Sequence, residues 1–404
     1  MALVRHFFPK DASFGYESLR AAGYANFGGA DVAEVITICS RIRPGDQDSW
    51  LREWSRAGHR AVANAKTSLA KGNRPGARDA FLRASNYFRT AEFYRREKPF
   101  DDDVSKELAS LSASMFYSAA DLMSHAIDKT CIPYEGTTLP ATLMRPDRSE
   151  NPKPTIIVNG GFDSTREEAG YAVAAAALEL GFNVIAFDGP GQGEALREQR
   201  LFFRPDWEHV MTPVVDYALA QPWVSQDKLV IMGVSMGGYL VSRAAAFEHR
   251  AAAIIVNDGV YDFGSAFSKE NPAIGKLLVK YNWDKTINAL VRLLMRWDTG
   301  FRWGISNAKW VFGLSSAAEV LRAVDKYTLE GEVHKIKTPM LVLDAPDDHF
   351  LKGQPRILFD RLTCDKEFVE MTKEEGASAH CHMGSGARLN QVVFDYLLPR
   401  LNMS

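Results

Sequence analysis

The sequence predicts an α/β protein: a mostly parallel, twisted sheet with helices on both faces, an N-terminal helical domain and a helical insertion late in the chain. Three observations predict it. Short apolar runs at 155–158, 184–187, 229–232, 253–256, 340–343 and 367–371 alternate with helical stretches, the pattern of a parallel sheet covered on both sides. The stretch KLVIMGVSMGGYLVSRAAA (228–246) reads as a buried strand, a tight turn and a helix centred on a GxSxG pentapeptide at 233–237. The first 130 residues read as helices.

Composition narrows the class. A chain of 404 residues holds one large domain with additions or two to three ordinary ones, and 46% hydrophobic with 24% charged residues is ordinary for a globular protein. A formal net charge of -2 gives a nucleic acid or an anionic membrane no electrostatic support, so the expected partner is a small organic molecule. Cys39, Cys131, Cys364 and Cys381 are scattered without a CxxC pair, which points to neither a zinc site nor a disulfide framework and fits a reducing, cytoplasmic setting. His6, Lys10 and Asp11 interrupt what a signal peptide would keep apolar. The most apolar window, from Ala172, is broken by Glu179 and Gly181 and is too short to cross a bilayer.

Taken in order, the chain divides into a helical domain at 1–130, the first part of an α/β core at 131–262, a helical lid insertion at 263–336 and the rest of the core at 337–404. Helical periods at 49–71 and 75–96 make an αα-hairpin, with Gly72-Asn73 as the stop and Pro75 near the first helical position. Ala77, Phe81, Ala84, Phe88 and Ala91 form the buried stripe of the second helix, and a third helix is expected over 103–129. Tyr87, Tyr94 and Tyr117 suit core packing, and Tyr87 is also a candidate wall of a substrate pocket. A hairpin follows at 132–144, turning near Glu135-Gly136.

In such sheets ligands bind beyond the carboxyl ends of the strands. NGGFD (159–163) follows the first parallel run and makes Asp163 a candidate substrate contact. DGPGQGE (188–194) follows the second; it lacks the lysine of a P-loop and the spacing of GxGxxG, so it reads as a structural turn, and no nucleotide cofactor is expected. The interval 260–336 is too long for a connection and carries Tyr281, Trp283, Trp297, Phe301, Trp303, Trp310 and Phe312. It suits a lid over an apolar substrate, with Trp283 and Trp303 as candidate contacts.

A serine hydroxyl is a weak nucleophile until a base takes its proton and a carboxylate orients that base. On an elbow of this kind the partners follow in the order Ser, Asp or Glu, His. LDAPDDH (343–349) and EGASAHCH (375–382) follow the last two runs. Ser235, Asp348 and His380 satisfy the order; Asp347 and His382 lie beside them, and Asp258 or Asp262 offers another acid. The oxyanion needs two backbone N–H donors, which assigns Met236 and, in the first glycine loop, Phe162 or Gly161.

IIVNGGFDSTREE, VIAFDGPGQGEALRE, IMGVSMGGY, PMLVLDAPDDHF and GASAHCH together resemble the α/β-hydrolase superfamily. Within it they are similar to the branch of 2,6-dihydroxypseudooxynicotine hydrolase and FrsA-like proteins, with fungal polyketide-tailoring hydrolases in the same neighbourhood. The ASNYFRTAEFY stretch extends the resemblance into the helical third. The resemblance implies Ser235 as nucleophile, Asp348 as acid and His380 as base; Ala345 stands where the family usually has glycine. It also implies cleavage of a carbon-carbon bond beside a ketone, or of an ester or thioester, with no metal or cofactor and often as a homodimer. A non-hydrolytic tailoring step such as cyclisation, dehydration or acyl transfer is the alternative on the same scaffold.

Overall fold

The computed structural model describes residues 3–267 and 280–403, so part of the expected insertion lies outside the described residues. Its eight strands are β1 (Ala126–Tyr134), β2 (Thr137–Arg145), β3 (Lys153–Asn159), β4 (Asn183–Phe187), β5 (Val224–Val234), β6 (Ala253–Asn257), β7 (Met340–Asp344) and β8 (Lys366–Glu370). They form one sheet in the order β1-β2-β4-β3-β5-β6-β7-β8. The first two strands run antiparallel to their neighbours and the remaining six are parallel. The six apolar runs all fall inside these parallel strands or within one residue of their ends.

Alternation along the strands explains the two layers. Ile157, Ile185, Ile231, Ile254 and Val342 point to one face, where they join Trp207, Val214, Tyr239 and Leu240 in a single core. Their neighbours Ile156, Val184, Val230, Ile255 and Leu341 point to the other, against Val173, Ala177, Val393 and Leu397. The helices of these layers include α6 (Val173–Glu179), α7 (Gly193–Gln199), α8 (Glu208–Leu219), which Trp207 precedes, α9 (Gly237–Ala245) and a last helix, Gly386–Arg400.

The N-terminal region is helical, with α1 (Ala12–Gly23), α2 (Val32–Cys39), α3 (Gln47–Ala70), α4 (Arg74–Glu92) and α5 (Asp103–Ala120). Side chains of Asp11, Asp31, Asp46, Asn73 and Asp102 cap them in turn, each accepting an N–H of the first turn. The α4 stripe of Ala77, Phe81, Ala84, Phe88 and Ala91 is buried throughout. Gly58 of α3 has no room for a side chain, since a Cβ would stand 2.7 Å from the Phe88 ring. Phe14, Trp50, Trp54 and Tyr87 share one continuous core with Ile157 and Ile231 of the sheet.

One boundary differs from the sequence expectation. The third helix stops at Ala120 rather than 129, because residues 126–129 pair with 142–145 as the start of β1. Cross-strand pairing there overrides helical propensity. The hairpin turn is two residues long, Glu135 (φ 38) and Gly136 (φ 79), both in the left-handed region that such a tight connection requires. Described helices of the insertion are Phe263–Phe267, Asp284–Leu294, Thr299–Val311 and Ala317–Val324. Among the described residues no helix is long and apolar enough to cross a membrane.

Candidate active site

Ser235 sits between β5 and α9 with φ 59, a left-handed conformation that turns its side chain out of the sheet. Small residues make the turn possible. A Cβ on Gly233 would lie 2.2 Å from the Gly237 carbonyl oxygen, and one on Gly237 would lie 2.5 Å from the Asn159 carbonyl oxygen. The Ser235 N–H donates to the Asn257 carbonyl at 2.6 Å, tying the elbow to the end of β6.

His380 Nε2 lies 2.9 Å from Ser235 Oγ, and His380 Nδ1 lies 2.7 Å from Asp348 Oδ2. A carboxylate accepts, so in the neutral imidazole Nδ1 carries the hydrogen and Nε2 is left bare toward the serine hydroxyl. The other oxygen of Asp348 accepts the N–H groups of Phe350 at 2.6 Å and Leu351 at 3.0 Å. Asp347 points elsewhere, to Ser378 Oγ and Lys373 Nζ, both at 3.0 Å. Asp262 accepts from the Ser265 N–H. Asp258 does approach the imidazole, its Oδ2 lying 3.1 Å from His380 Nδ1.

Electrostatics follow from this burial and pairing. Burial opposes the charged form of His380, but the adjacent Asp348 outweighs it and holds the imidazole well above the ordinary histidine value. Burial likewise opposes the Asp348 carboxylate, and His380 reverses this, holding it well below the usual range. Among the described residues Asp258, His380 and Cys381 bring one possible metal-ligand atom each within 4.8 Å of one another. Both nitrogens of His380 are already engaged, and burial pushes the Cys381 thiol up to about 11, so the trio is not a ready cation site.

The loop after β3 packs directly on the elbow. A Cβ on Gly161 would stand 2.8 Å from Ser235 Cβ and 3.2 Å from the Met236 nitrogen. The Gly161 N–H donates to Ser164 Oγ at 2.8 Å, whereas the Met236 and Phe162 N–H groups have no hydrogen-bond acceptor among the described residues. Gln192, from the second glycine-rich loop, donates to the carbonyls of Gly160 at 2.7 Å and Gly161 at 3.0 Å. The DGPGQGE segment is thus a brace for the first loop. Asn307, buried in the insertion helix Thr299–Val311, donates to the Phe162 carbonyl at 3.1 Å and accepts from Arg96 Nε at 3.0 Å.

Three expected substrate contacts are placed differently. Asp163 is held by Arg20 at 2.6 Å and Arg89 at 2.9 Å, in a buried ion cluster with Glu17 and Glu168, so its charge is already matched by protein groups. Tyr87 is fully buried in the helical core, with its hydroxyl donating to Glu34 at 2.9 Å. Trp283 is 58% exposed at the start of its helix. Trp303 is buried, stacked on Phe93 at 4.5 Å and 6.1 Å from the Phe162 ring. Phe162, Phe263, Phe267 and Phe312 continue that aromatic layer beside the elbow.

Tyr16 of α1 also reaches the histidine loop, and no motif in the sequence marks it. Its hydroxyl donates to the His380 carbonyl at 3.3 Å, and its ring lies 5.9 Å from the His380 ring and 5.2 Å from His349. Asp11 followed by an amphipathic run was the available signal for α1, but nothing local ties that helix to the histidine loop 364 positions later.

The family model described as "Alpha/beta hydrolase family" matches residues 155–392. The chain is 34% identical over 401 residues to Hydrolase LUC6 of Fusarium sp, covering 95% of each. It is also 34% identical over 405 residues to 20-hydroxy-prefusarin hydrolase FUS2 of Gibberella moniliformis, again covering 95% of each. Among solved structures, 2,6-dihydroxy-pseudo-oxynicotine hydrolase superposes with a TM-score of 0.72 at 20% identity, over 93% of this chain and 94% of that one, a likeness of fold. The eight-stranded sheet, the serine elbow and this near full-length similarity agree: the chain belongs to the alpha/beta hydrolase family.

Proposed function

We propose that the chain is a serine-dependent hydrolase in which Ser235 is the nucleophile, His380 the base and Asp348 the acid that orients it. The observation that carries the reading is the continuous line from Ser235 Oγ through His380, at 2.9 and 2.7 Å, to a carboxylate already satisfied by two backbone N–H groups. Ser235 Oγ bonds to the substrate carbonyl carbon as its proton passes to His380 Nε2, and the carbonyl electron pair moves onto oxygen. The free Met236 and Phe162 N–H groups suit that oxyanion. Collapse breaks the bond to the leaving group, which takes the proton from Nε2, and water then repeats the sequence to free the enzyme.

The substrate class proposed is a bulky, largely apolar carbonyl compound of the aryl-ketone or polyketide kind, cleaved at a carbon-carbon bond beside a ketone or at an ester or thioester. Support comes from the aromatic layer of Phe162, Phe263, Phe267, Trp303 and Phe312, and from a relative named for a hydrolase acting on 20-hydroxy-prefusarin. Turnover screened on ketone, ester and lactone panels, with products identified by mass, tests the class. Ser235→Ala is expected to abolish turnover with the fold intact, and an active S235A protein sinks the proposal.

A further inference from the structure

Behind His380 lies a second polar pair that the reaction as described does not use. Asp258, at the end of β6, is fully buried, as is His382. His382 Nδ1 lies 2.7 Å from the Ala377 carbonyl, which can only accept, so Nδ1 carries a hydrogen. Among the described residues its Nε2 has no hydrogen-bond partner, and neither has Asp258 Oδ1; the two atoms face each other at 3.7 Å. At 3.7 Å the contact is longer than a hydrogen bond, but two bare acceptors facing each other in a buried site repel, which favours a proton on one of them. The other oxygen of Asp258 accepts the Cys381 N–H at 3.0 Å and lies 3.1 Å from His380 Nδ1, next to Asp348.

We propose that Asp258 stands as a neutral carboxylic acid whose proton points at His382 Nε2, making the Asp258–His382 pair a positioning element that holds the His380 turn while keeping a second negative charge off the imidazole. This rests on the nucleophile reading above. Two carboxylates converging on one ring nitrogen cannot both ionise cheaply. Asp348 has two backbone donors and the closer imidazole contact, at 2.7 Å, to support its charge, whereas the fully buried Asp258 has one backbone donor and the longer imidazole contact, at 3.1 Å. Burial, with Asp348 beside it, accordingly raises Asp258 above the usual carboxylate range. The other titratable groups facing Asp258 are Asp344, which burial and Asp258 push up to about 6, and the buried Cys381, whose ionisation burial opposes.

The amide of asparagine can reproduce this arrangement. In Asp258→Asn the carbonyl can take the Cys381 N–H and the NH2 can donate to His382 Nε2. The same change at Asp348 puts an NH2 against a donor whichever way the amide turns. The test measures the rate at which a fluorophosphonate labels the full chain as a function of pH, in wild type, D258N, D258V and D348N, together with the infrared carbonyl stretch of a protonated buried carboxyl. D258V is expected to slow labelling at least ~10-fold, since it leaves the Cys381 N–H and His382 unpaired, and D258N is expected to recover most of that loss with its acid limb at the wild-type midpoint. A protonated-carboxyl component is expected in wild type that is lost in the D258N difference spectrum.

If Asp258 is ionised instead, D258N removes an anion from beside Nδ1 and moves the midpoint to lower pH by ~1 or more, and no carboxyl component is lost between wild type and D258N. That result overturns the proposal, as does D258V labelling like wild type. Should wild type itself fail to label, the nucleophile reading fails, and the infrared band still decides the protonation of Asp258.

Discussion

Gly161→Ala places a methyl group where the loop after β3 touches the serine elbow. The new Cβ would stand 2.8 Å from both Ser235 Cβ and the Val234 carbonyl oxygen, and 3.2 Å from the Met236 nitrogen. Two of these neighbours are backbone atoms of a tight turn, and the loop itself is pinned by Gln192 and Asn307, so neither side can give cheaply. Overpacking of this kind costs about 1–3 kcal/mol. The separation that relieves it carries the Phe162 N–H away from the Met236 N–H, and loss of one oxyanion donor slows the chemical step by about 10²–10³-fold. Thermal or denaturant unfolding reads the first quantity, and turnover or fluorophosphonate labelling reads the second. Gly304 supplies the control: in the helix Thr299–Val311, nothing among the described residues outside its own helical turn lies within 4 Å of where its Cβ would be. Gly304→Ala is expected to stabilise by roughly 0.5–1 kcal/mol with activity retained. A G161A protein labelled at the wild-type rate would refute the placement of the oxyanion loop.

Other perturbations separate the parts of the site. Asn307→Leu leaves the Phe162 carbonyl and Arg96 Nε without their partner, which should cost about 1–3 kcal/mol of stability and lower kcat more than it raises KM, checked by unfolding and steady-state kinetics. Asp348→Asn sets an amide NH2 against the Phe350 and Leu351 N–H groups or against His380 Nδ1–H, and labelling should fall by about 10⁴-fold. Because neutral His380 is the active form and its neighbours raise it above the ordinary value of 6.5, wild-type activity should rise with pH through a midpoint above 6.5; a pH profile with a lower midpoint contradicts that electrostatic account.

What the sequence made legible follows physical locality. The six parallel strands are readable because buried strands are short apolar runs, and the elbow because its turn needs glycine on both sides of the serine. Asp347 and Asp348 are indistinguishable by position along the chain, yet one turn sends the first to Ser378 and Lys373 and the second to His380. Asp163 looked like a ligand contact because it follows a strand end; its partners Arg20 and Arg89 come from helices more than 70 residues earlier, a pairing no local pattern announces. Trp283 shows the converse, an aromatic in the right segment that points to solvent. Tyr16 and Asn307 touch the site only through tertiary contacts, with His380 and Phe162, and carry no motif of their own.

The central claim, that Ser235 is activated by His380 for covalent catalysis, is tested most directly by intact-mass analysis and peptide mapping after fluorophosphonate treatment. The account predicts a single adduct on Ser235, absent from S235A and strongly slowed in His380→Ala, with all three proteins equally folded. No adduct on the wild type, or an adduct that persists in S235A at another residue such as Cys381, would contradict it.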